Sequence, residues 1–312
     1  MKTFISLFAL FLSLSLTAQS NTANWYYNNT SFDGIQSPTN TASGGRSVAM
    51  GDYTTASGGF STAMGTYTTA SGWASTAMGE YTTASGSHST AMGYFTAASG
   101  TYSTAMGGAT TASGTSSTAM GSGTTASDFG SLSIGAYNSV NSSVTGNAGA
   151  FNLANAAFVI GNGTASNAKS DAFVVYFNGN ATLAGDLTIN SDARLKDNIL
   201  PLGSTLDKLH QIEGKTYTFL KDEEHTPKIG VLAQEVQAVF PELVTEGADG
   251  ILSVNYQGLV PVLINAINEQ ELKMLEQDAK ISEQDAKIAA LEEMVRFLAV
   301  QQSQATSSVA SN

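Results

Sequence analysis

Small apolar and polar residues alternate in two short runs that recur every fourteen residues between about residues 40 and 135. Each unit reads Ser-Thr-Ala-Met-Gly-x-Tyr-Thr-Thr-Ala-Ser-Gly-x-x, and a glycine closes each run. Alternation over about five residues predicts a β-strand, and the glycine predicts a turn. The Ala-Met-Gly triplets begin at Ala49, Ala63, Ala77, Ala91, Ala105 and Ala119, and Ser133-Ile134-Gly135 is a degenerate further copy.

A unit of two short strands cannot bury a face by itself, so the copies must stack as a solenoid. We expect the axis-facing side chains to be Ala, Gly, Ser, Thr or Met. Such a roll is thin, and self-association would bury more of it. The alternative, a disordered Gly/Ser/Thr tract, does not explain why Thr, Tyr and Met keep fixed offsets.

These repeats resemble the head repeats of trimeric autotransporter adhesins, whose Ser-x-Ala-x-Gly units form left-handed parallel β-rolls packed as trimers. The resemblance covers residues 40–140 and implies a mainly β, trimeric head. It is confined to the head and does not by itself make the chain an autotransporter.

One offset of the repeat carries aromatic residues: Tyr53, Tyr67, Tyr81 and Phe95, followed by Ala109 and Gly123. In a stacked roll these rings would form a ladder on one face. Mutual stacking that stabilises an exposed sheet is the simpler interpretation. The other is a ligand platform for a host or matrix glycan or protein.

After Ile134 the period loosens and larger apolar residues appear, which predicts a β-rich neck over residues 141–190. Expected strands are 157–161, 171–177, 181–183 and 187–189, with a turn at Asn178-Gly179.

Charge density rises at Ser191. Residues 19–190 carry 2 basic and 6 acidic residues, whereas 191–312 carry 10 and 19. The pattern there predicts an α+β module, with helices at 202–212 and 233–240 and strands at 215–220, 228–232 and 251–254.

A long helix is expected from about Tyr256, and it carries heptads typical of a trimeric coiled coil over 256–300. A single amphipathic helix folding back on the module is the alternative, which the sustained frame disfavours. Position a is Val260, Ile267, Met274, Ile281, Ile288 and Val295, and position d is Leu263, Gln270, Gln277, Gln284, Leu291 and Leu298. Residues 301–312 form a polar tail.

Several motifs of this module occur together in order: Ser-Asp-Ala-Arg-Leu-Lys at 191–196, Ile-Gly-Val-Leu-Ala-Gln-Glu-Val at 229–236, Phe-Pro-Glu-Leu-Val at 240–244 and Leu-Ser-Val-Asn-Tyr at 252–256. They resemble the C-terminal intramolecular chaperone of phage endosialidases and tailspikes, over about 191–298. Such domains trimerise their passenger and then cut themselves off. The resemblance implies Ser191 as nucleophile, Lys196 as its partner, and Asn190–Ser191 as the scissile bond.

The chemistry of these residue types agrees with that implication. A serine hydroxyl needs a base, and a lysine can serve once burial lowers its pKa. Arg194 cannot give up its proton, so Lys196 is the candidate base nearby. Ser191 or Asp192 could instead cap a short helical turn over 194–198, and capping does not exclude catalysis.

Composition narrows the function classes further. The chain has a net charge of −12, no cysteine and 3 histidines. An acidic chain without a basic patch argues against nucleic-acid binding, and we expect no metal site and no cofactor. Residues 1–18, with Lys2 before an apolar run and Thr17-Ala18 at its end, predict a secretory signal peptide, and no later segment is apolar enough to span a membrane.

The sequence therefore predicts a secreted homotrimer: lead-in 19–39, head 40–140, neck 141–190 and a self-cleaving chaperone 191–300. One alternative is a permanently attached, uncleaved adhesin whose coiled coil is only a stalk. A conventional enzyme acting on an external substrate is disfavoured, because the repeat has no convergent acid/base cluster.

Overall fold

The structure is a computed structural model that describes residues 26–28, 34–139, 148–220, 222 and 225–309, with the backbone alone for 26–28 and 303–309. The predicted signal peptide lies outside these residues. The chain divides into two compact units, one up to Ile189 and one from Asn190. Each is described by itself.

The first unit is a parallel β-solenoid with antiparallel strand pairs at both ends. Its strands are β1 (Tyr26–Asn28), β2 (Gly34–Gln36), β3 (Thr41–Ala42), β4 (Val48–Asp52), β5 (Thr55–Ala56), β6 (Thr62–Thr66), β7 (Thr69–Ala70), β8 (Thr76–Glu80), β9 (Thr83–Ala84), β10 (Thr90–Tyr94), β11 (Ala97–Ala98), β12 (Thr104–Gly108), β13 (Thr111–Ala112), β14 (Thr118–Ser122), β15 (Thr125–Ala126), β16 (Leu132–Ala136), β17 (Ala156–Asn162), β18 (Asp171–Tyr176) and β19 (Ala181–Leu183).

The predicted two strands per unit are confirmed. The solenoid has about seven turns, and each turn carries one five-residue strand and one two-residue strand. The long strands stack into a 12-stranded sheet and the short ones into a 7-stranded sheet. Pairing is in register at the period of the repeat, so that Ala63 faces Ala77 and Met64 faces Met78.

The interior of the solenoid is lined by alanine, serine and threonine. Thirteen alanines, two from most turns, are at most 1% exposed. The hydroxyl residues at Ser61, Thr68 and their equivalents in other turns are buried beside them.

The expectation that methionine faces the axis is wrong. Ala63 points inward, and because side chains alternate along a strand, Thr62 and Met64 on either side of it point outward. The methionines form a half-exposed stripe on the outer face of the long-strand sheet, and Met106 and Met120 are 37% and 36% exposed.

The neck agrees with expectation at three strands and differs at one. β17 joins β16 in parallel, and β18 and β19 continue the sheet antiparallel. The turn at Asn178-Gly179 is present, with φ +86° at Gly179. Residues 187–189 form no strand, and their apolar side chains are exposed. No neighbouring strand pairs with them among the described residues.

The second unit contains α1 (Leu206–Leu209), α2 (Ala233–Val239) and α3 (Leu259–Val309), with strand pairs β20 (Lys215–Tyr217) with β21 (Lys228–Gly230) and β22 (Val244–Glu246) with β23 (Leu252–Val254). Three 3₁₀ turns lie at Ala193–Leu195, Pro241–Leu243 and Tyr256–Gly258. The predicted long helix is confirmed. The helix expected at 202–212 is wrong in extent, since only Leu206–Leu209 is α-helical.

A small core holds this unit together. Val236 and Phe240 of the α2 region pack with Val262 of α3, and partly buried apolar residues surround them. The first turns of α3 therefore use Val262 and Ala266 to contact their own chain, which leaves other faces of the helix uncovered.

Candidate functional site

The segment that begins the second unit folds into a tight turn. Asp192 is the N-cap of the 3₁₀ turn Ala193–Leu195, and its side chain accepts a 2.9 Å hydrogen bond from the Arg194 N–H. The Leu195 and Lys196 N–H groups donate to the carbonyls of Asp192 and Ala193. The capping alternative from the sequence is thus present, carried by Asp192.

The same turn brings Ser191 and Lys196 together. The chain reverses over the four residues between them, and Lys196 Nζ donates a 2.7 Å hydrogen bond to Ser191 Oγ. Both side chains are exposed in the single chain. This distance is within the hydrogen-bond reach of about 2.6–3.2 Å that a nucleophile and its base need.

Arg194 neutralises the carboxylate next to the dyad. Its guanidinium makes a two-pronged ion pair with Asp192, with an Nη2–Oδ2 distance of 2.6 Å. This pairing holds the pKa of the Asp192 carboxyl below its usual range and raises that of Arg194.

A polar cluster further along the chain ties residues 203–206 to α3. The Glu269 carboxylate accepts hydrogen bonds from the N–H groups of Thr205 (2.7 Å) and Leu206 (3.3 Å) and from the Ser204 hydroxyl (3.0 Å). Asn265 donates to the Gly203 carbonyl at 2.7 Å. These bonds, chiefly the one from the Thr205 N–H, lower the pKa of Glu269.

Sequence reasoning missed this cluster. Glu269 stands at the amino end of α1, where a carboxylate satisfies N–H groups that have no partner inside the helix. Nothing in the local sequence around 203–206 shows that the capping group comes from a helix more than 60 residues later.

The heptad side chains lie along one uncovered stripe of α3. The predicted coiled-coil positions are all more than half exposed: Ile267, Met274, Ile281, Ile288, Leu291, Val295 and Leu298. Heptad positions a and d share one face of a helix, and no described residue of the same chain covers these side chains.

The aromatic residues of the head stack as a ladder. Tyr53, Tyr67 and Tyr81 follow one another at centroid distances of 5.2 and 5.1 Å with interplanar angles of 4° and 1°, and Phe95 continues the column at 4.7 Å. Each ring inside this tyrosine column has a neighbouring ring on both faces. It therefore presents its edge to solvent.

A second column of rings, not noticed in the sequence, lies at the other bend of the solenoid. It consists of the Arg46 guanidinium and the rings of Phe60, Trp73, His88 and Tyr102. Arg46 lies 5.3 Å from the Phe60 centroid, Phe60 meets Trp73 edge-on at 4.9 Å, and His88 stacks on Tyr102 at 5.1 Å. We call this the tryptophan column. The sequence signal was an aromatic or charged residue at 46, 60, 88 and 102, the same offset in four of five successive repeats.

Known family models match part of each of the two units. The YadA head domain repeat matches residues 42–68, 69–96, 98–124 and 112–138. The chaperone of endosialidase family matches residues 191–245, so its match begins at Ser191. The chain thus joins adhesin-type head repeats to a chaperone-of-endosialidase domain, as both resemblances predicted.

Curated relatives are phage fibres. The chain is 37% identical over 109 residues to the long tail fiber protein Gp37 of Escherichia phage AR1, which is 32% of this chain and 9% of that protein. It is 35% identical over 99 residues to Gp37 of Salmonella phage S16, or 29% of this chain and 13% of that protein. The chain therefore spans only about a tenth of the length of these relatives.

The architecture is of the tail-fibre and adhesin type. Within the described ranges, no helix combines the length and apolar character needed to cross a membrane.

Proposed function

We propose that the chain forms a secreted homotrimer whose second unit acts as an intramolecular chaperone and then releases itself by cutting the Asn190–Ser191 bond. The observation that carries this proposal is the 2.7 Å hydrogen bond between Lys196 Nζ and Ser191 Oγ. It lies at the first residue of the match to the chaperone of endosialidase family. In this proposal residues 1–18 are removed on export, and residues 19–190 are the released head and neck.

The cleavage chemistry balances with these two side chains and water. Ser191 Oγ attacks the carbonyl carbon of Asn190, and neutral Lys196 takes the hydroxyl proton. Lys196 returns that proton to the Ser191 nitrogen as the C–N bond breaks, which leaves an ester between Asn190 and Oγ. Water then hydrolyses the ester, giving a carboxylate on Asn190 and a free amine and hydroxyl on Ser191.

Assembly is the proposed trigger. In water a lysine amine is protonated at neutral pH and cannot accept a proton, whereas burial lowers the pKa of a lysine. Ser191 and Lys196 are exposed in the single chain. Neighbouring subunits would supply the burial, so the cut would follow trimerisation.

Two uncovered surfaces support self-association. The apolar heptad stripe of α3 is exposed from Ile267 to Leu298, and burying such a stripe against two copies is what drives a coiled coil. The methionine stripe of the head is uncharged and repeats in register from Met50 to Met120. A second copy of the chain would present the same stripe to it.

The alternative is an uncleaved trimer in which the coiled coil is only a stalk. The capped 3₁₀ turn favours it, because Asp192 and Arg194 give this segment a structural role without catalysis.

The test is expression of the full chain, with mass spectrometry of the products and N-terminal sequencing. We expect a fragment that begins at Ser191, and we expect Ser191→Ala and Lys196→Ala to give intact chains that still trimerise. Matched controls are Ser253→Ala and Lys280→Ala, at exposed positions elsewhere in the second unit. An intact wild-type trimer would favour the stalk alternative.

A further inference from the structure

At one turn of the tryptophan column the ring comes from Trp73, one residue before the turn position that carries the side chain elsewhere. Its turn positions are Arg46, Phe60, Ala74, His88 and Tyr102, each at a φ between +50° and +59°. A ring or a guanidinium stands at four of them, and Ala74 has only a methyl group. The backbone continues unbroken, since Ala74 N–H donates to the Gly59 carbonyl at 2.7 Å and His88 N–H to the Trp73 carbonyl at 2.6 Å. The gap at this turn position is therefore in the side chains alone.

Trp73 stands at one side of this gap and leans toward the preceding turn. Its six-membered ring lies so close over Gly59 that a Cβ there would be 2.6 Å from Trp73 Cζ3. Phe60 contacts it edge-on, yet the side chain is 53% exposed. One side of the indole rests on Gly59, so the exposed surface lies on the rest of the ring.

His88 forms the other wall. Tyr102 stacks on one face of the imidazole, and the Ser87 hydroxyl is 3.0 Å from Nδ1. Among the described residues no second ring stacks on the imidazole, and Nε2 is the ring nitrogen left for a ligand hydroxyl. Phe60 and His88 are two turns apart, about 9–10 Å, and the Trp73 ring in this interval contacts Phe60, with no ring stacking between Trp73 and His88.

We propose that this notch, lined by Trp73, Ala74 and His88, binds a neutral pyranose ring of a β-linked glucan-type or N-acetylglucosamine-type saccharide. The axial C–H groups of such a ring form a flat apolar face that packs on an indole, and its equatorial hydroxyls reach outward to polar groups such as His88 Nε2. No carboxylate occurs in residues 57–61, 71–75 or 85–89, which make the three turns of this bend, so the notch offers a neutral sugar no charge repulsion.

The geometry favours this notch over the tyrosine column. Tyr67 and Tyr81 have rings on both faces, so neither has a face for a sugar. The notch concerns the head alone and does not depend on cleavage at Ser191.

The experiment uses the full-length chain, titrated with cellohexaose and with chitohexaose by calorimetry and saturation-transfer NMR. Trp73→Ala should weaken binding about tenfold, the loss expected for one aromatic stacking partner. Ala74→Phe should place a ring at this turn position, raise the melting temperature and abolish binding. If this bend had only a structural role, Ala74→Phe would not raise the melting temperature and abolish binding at the same time.

Ala109→Phe is the matched control. Ala109 has φ +53° and follows Phe95 in the tyrosine column, so a ring there extends that column in the same way. It should raise the melting temperature and leave binding unchanged. The proposal is overturned if neither hexaose binds, if Ala74→Phe binds like the wild type, or if binding depends on Tyr67 and Tyr81 instead of Trp73.

Discussion

The backbone N–H of Thr205 donates a 2.7 Å hydrogen bond to the Glu269 carboxylate, 64 residues further along the chain. This bond joins the start of α1 to α3, and Ser204 and Leu206 donate to the same carboxylate. The segment that follows the serine–lysine dyad is thereby fixed to the helix that carries the heptads.

Glu269→Gln should make the second unit less stable at neutral pH. The folded chain holds the pKa of Glu269 below its usual value, so its contribution is present above the unfolded value, about 4.3, and is lost as the pH falls through the folded value. The melting temperatures of wild type and variant should differ at pH 7 and converge in acid. Glu271→Gln, at an exposed position of the same helix, is the control; an equal loss there would show that the Thr205 bond is not the cause.

Lys196→Arg should separate hydrogen bonding from base catalysis. Arginine can still donate to Ser191 Oγ, but it does not lose its proton in a protein. Cleavage at Asn190–Ser191 should slow by about 10²–10⁴-fold, the usual contribution of a general base, while trimer formation is unchanged. Fragment yield over time and sedimentation measure the two. Cleavage at the wild-type rate would mean that Lys196 is not the base.

Gly79→Ala should destabilise the solenoid. Gly79 has φ +117°, and a Cβ there would lie 2.0 Å from the carbonyl oxygen of Gly93 in the next turn. Backbone strain of this kind costs about 1–3 kcal/mol, and the contact with Gly93 adds to it. Gly108→Ala, which would meet no atom within 4 Å, is the control and should change the stability by less than about 0.5 kcal/mol. Thermal unfolding followed by circular dichroism compares them, and equal melting temperatures would refute the argument.

Tyr67→Ser should lower the melting temperature of the head without affecting saccharide binding. Tyr67 stacks on Tyr53 and Tyr81, and each pair contributes about 0.5–1.5 kcal/mol. Tyr102→Ser loses only the stack on His88 and should cost less. A Tyr67→Ser variant that kept its melting temperature but lost ligand binding would show that the tyrosine column is a binding surface.

The head was predictable from the sequence because the same alternation of inward and outward side chains recurs in every turn. Once Ala63 is assigned to the inside, the strand period and the in-register stacking follow for Ala77 and Ala91. The prediction that methionines face the axis did not apply this same alternation: Met64 directly follows Ala63, which points inward.

The second unit was less predictable because its decisive contacts are long-range and polar. Leu202, Leu206 and Leu209 have helical spacing, yet only the last two lie in α1, because Glu269 and Asn265 bind the chain at 203–206. The spacing of Ser191 and Lys196 was visible in the sequence, but the capped turn that closes it to 2.7 Å was visible only as one alternative.

Because near-identical turns pair in register, the length of the head is set by the number of its repeats. Adding or deleting one fourteen-residue unit leaves every alanine, glycine and turn in an equivalent environment, and it changes only the reach of the head, by roughly 4.8 Å. Near-identical units such as 62–75 and 76–89 are also the kind of sequence in which copies are gained and lost by unequal exchange. Head length can therefore drift between related chains while the fold of each turn and the chaperone behind it stay the same.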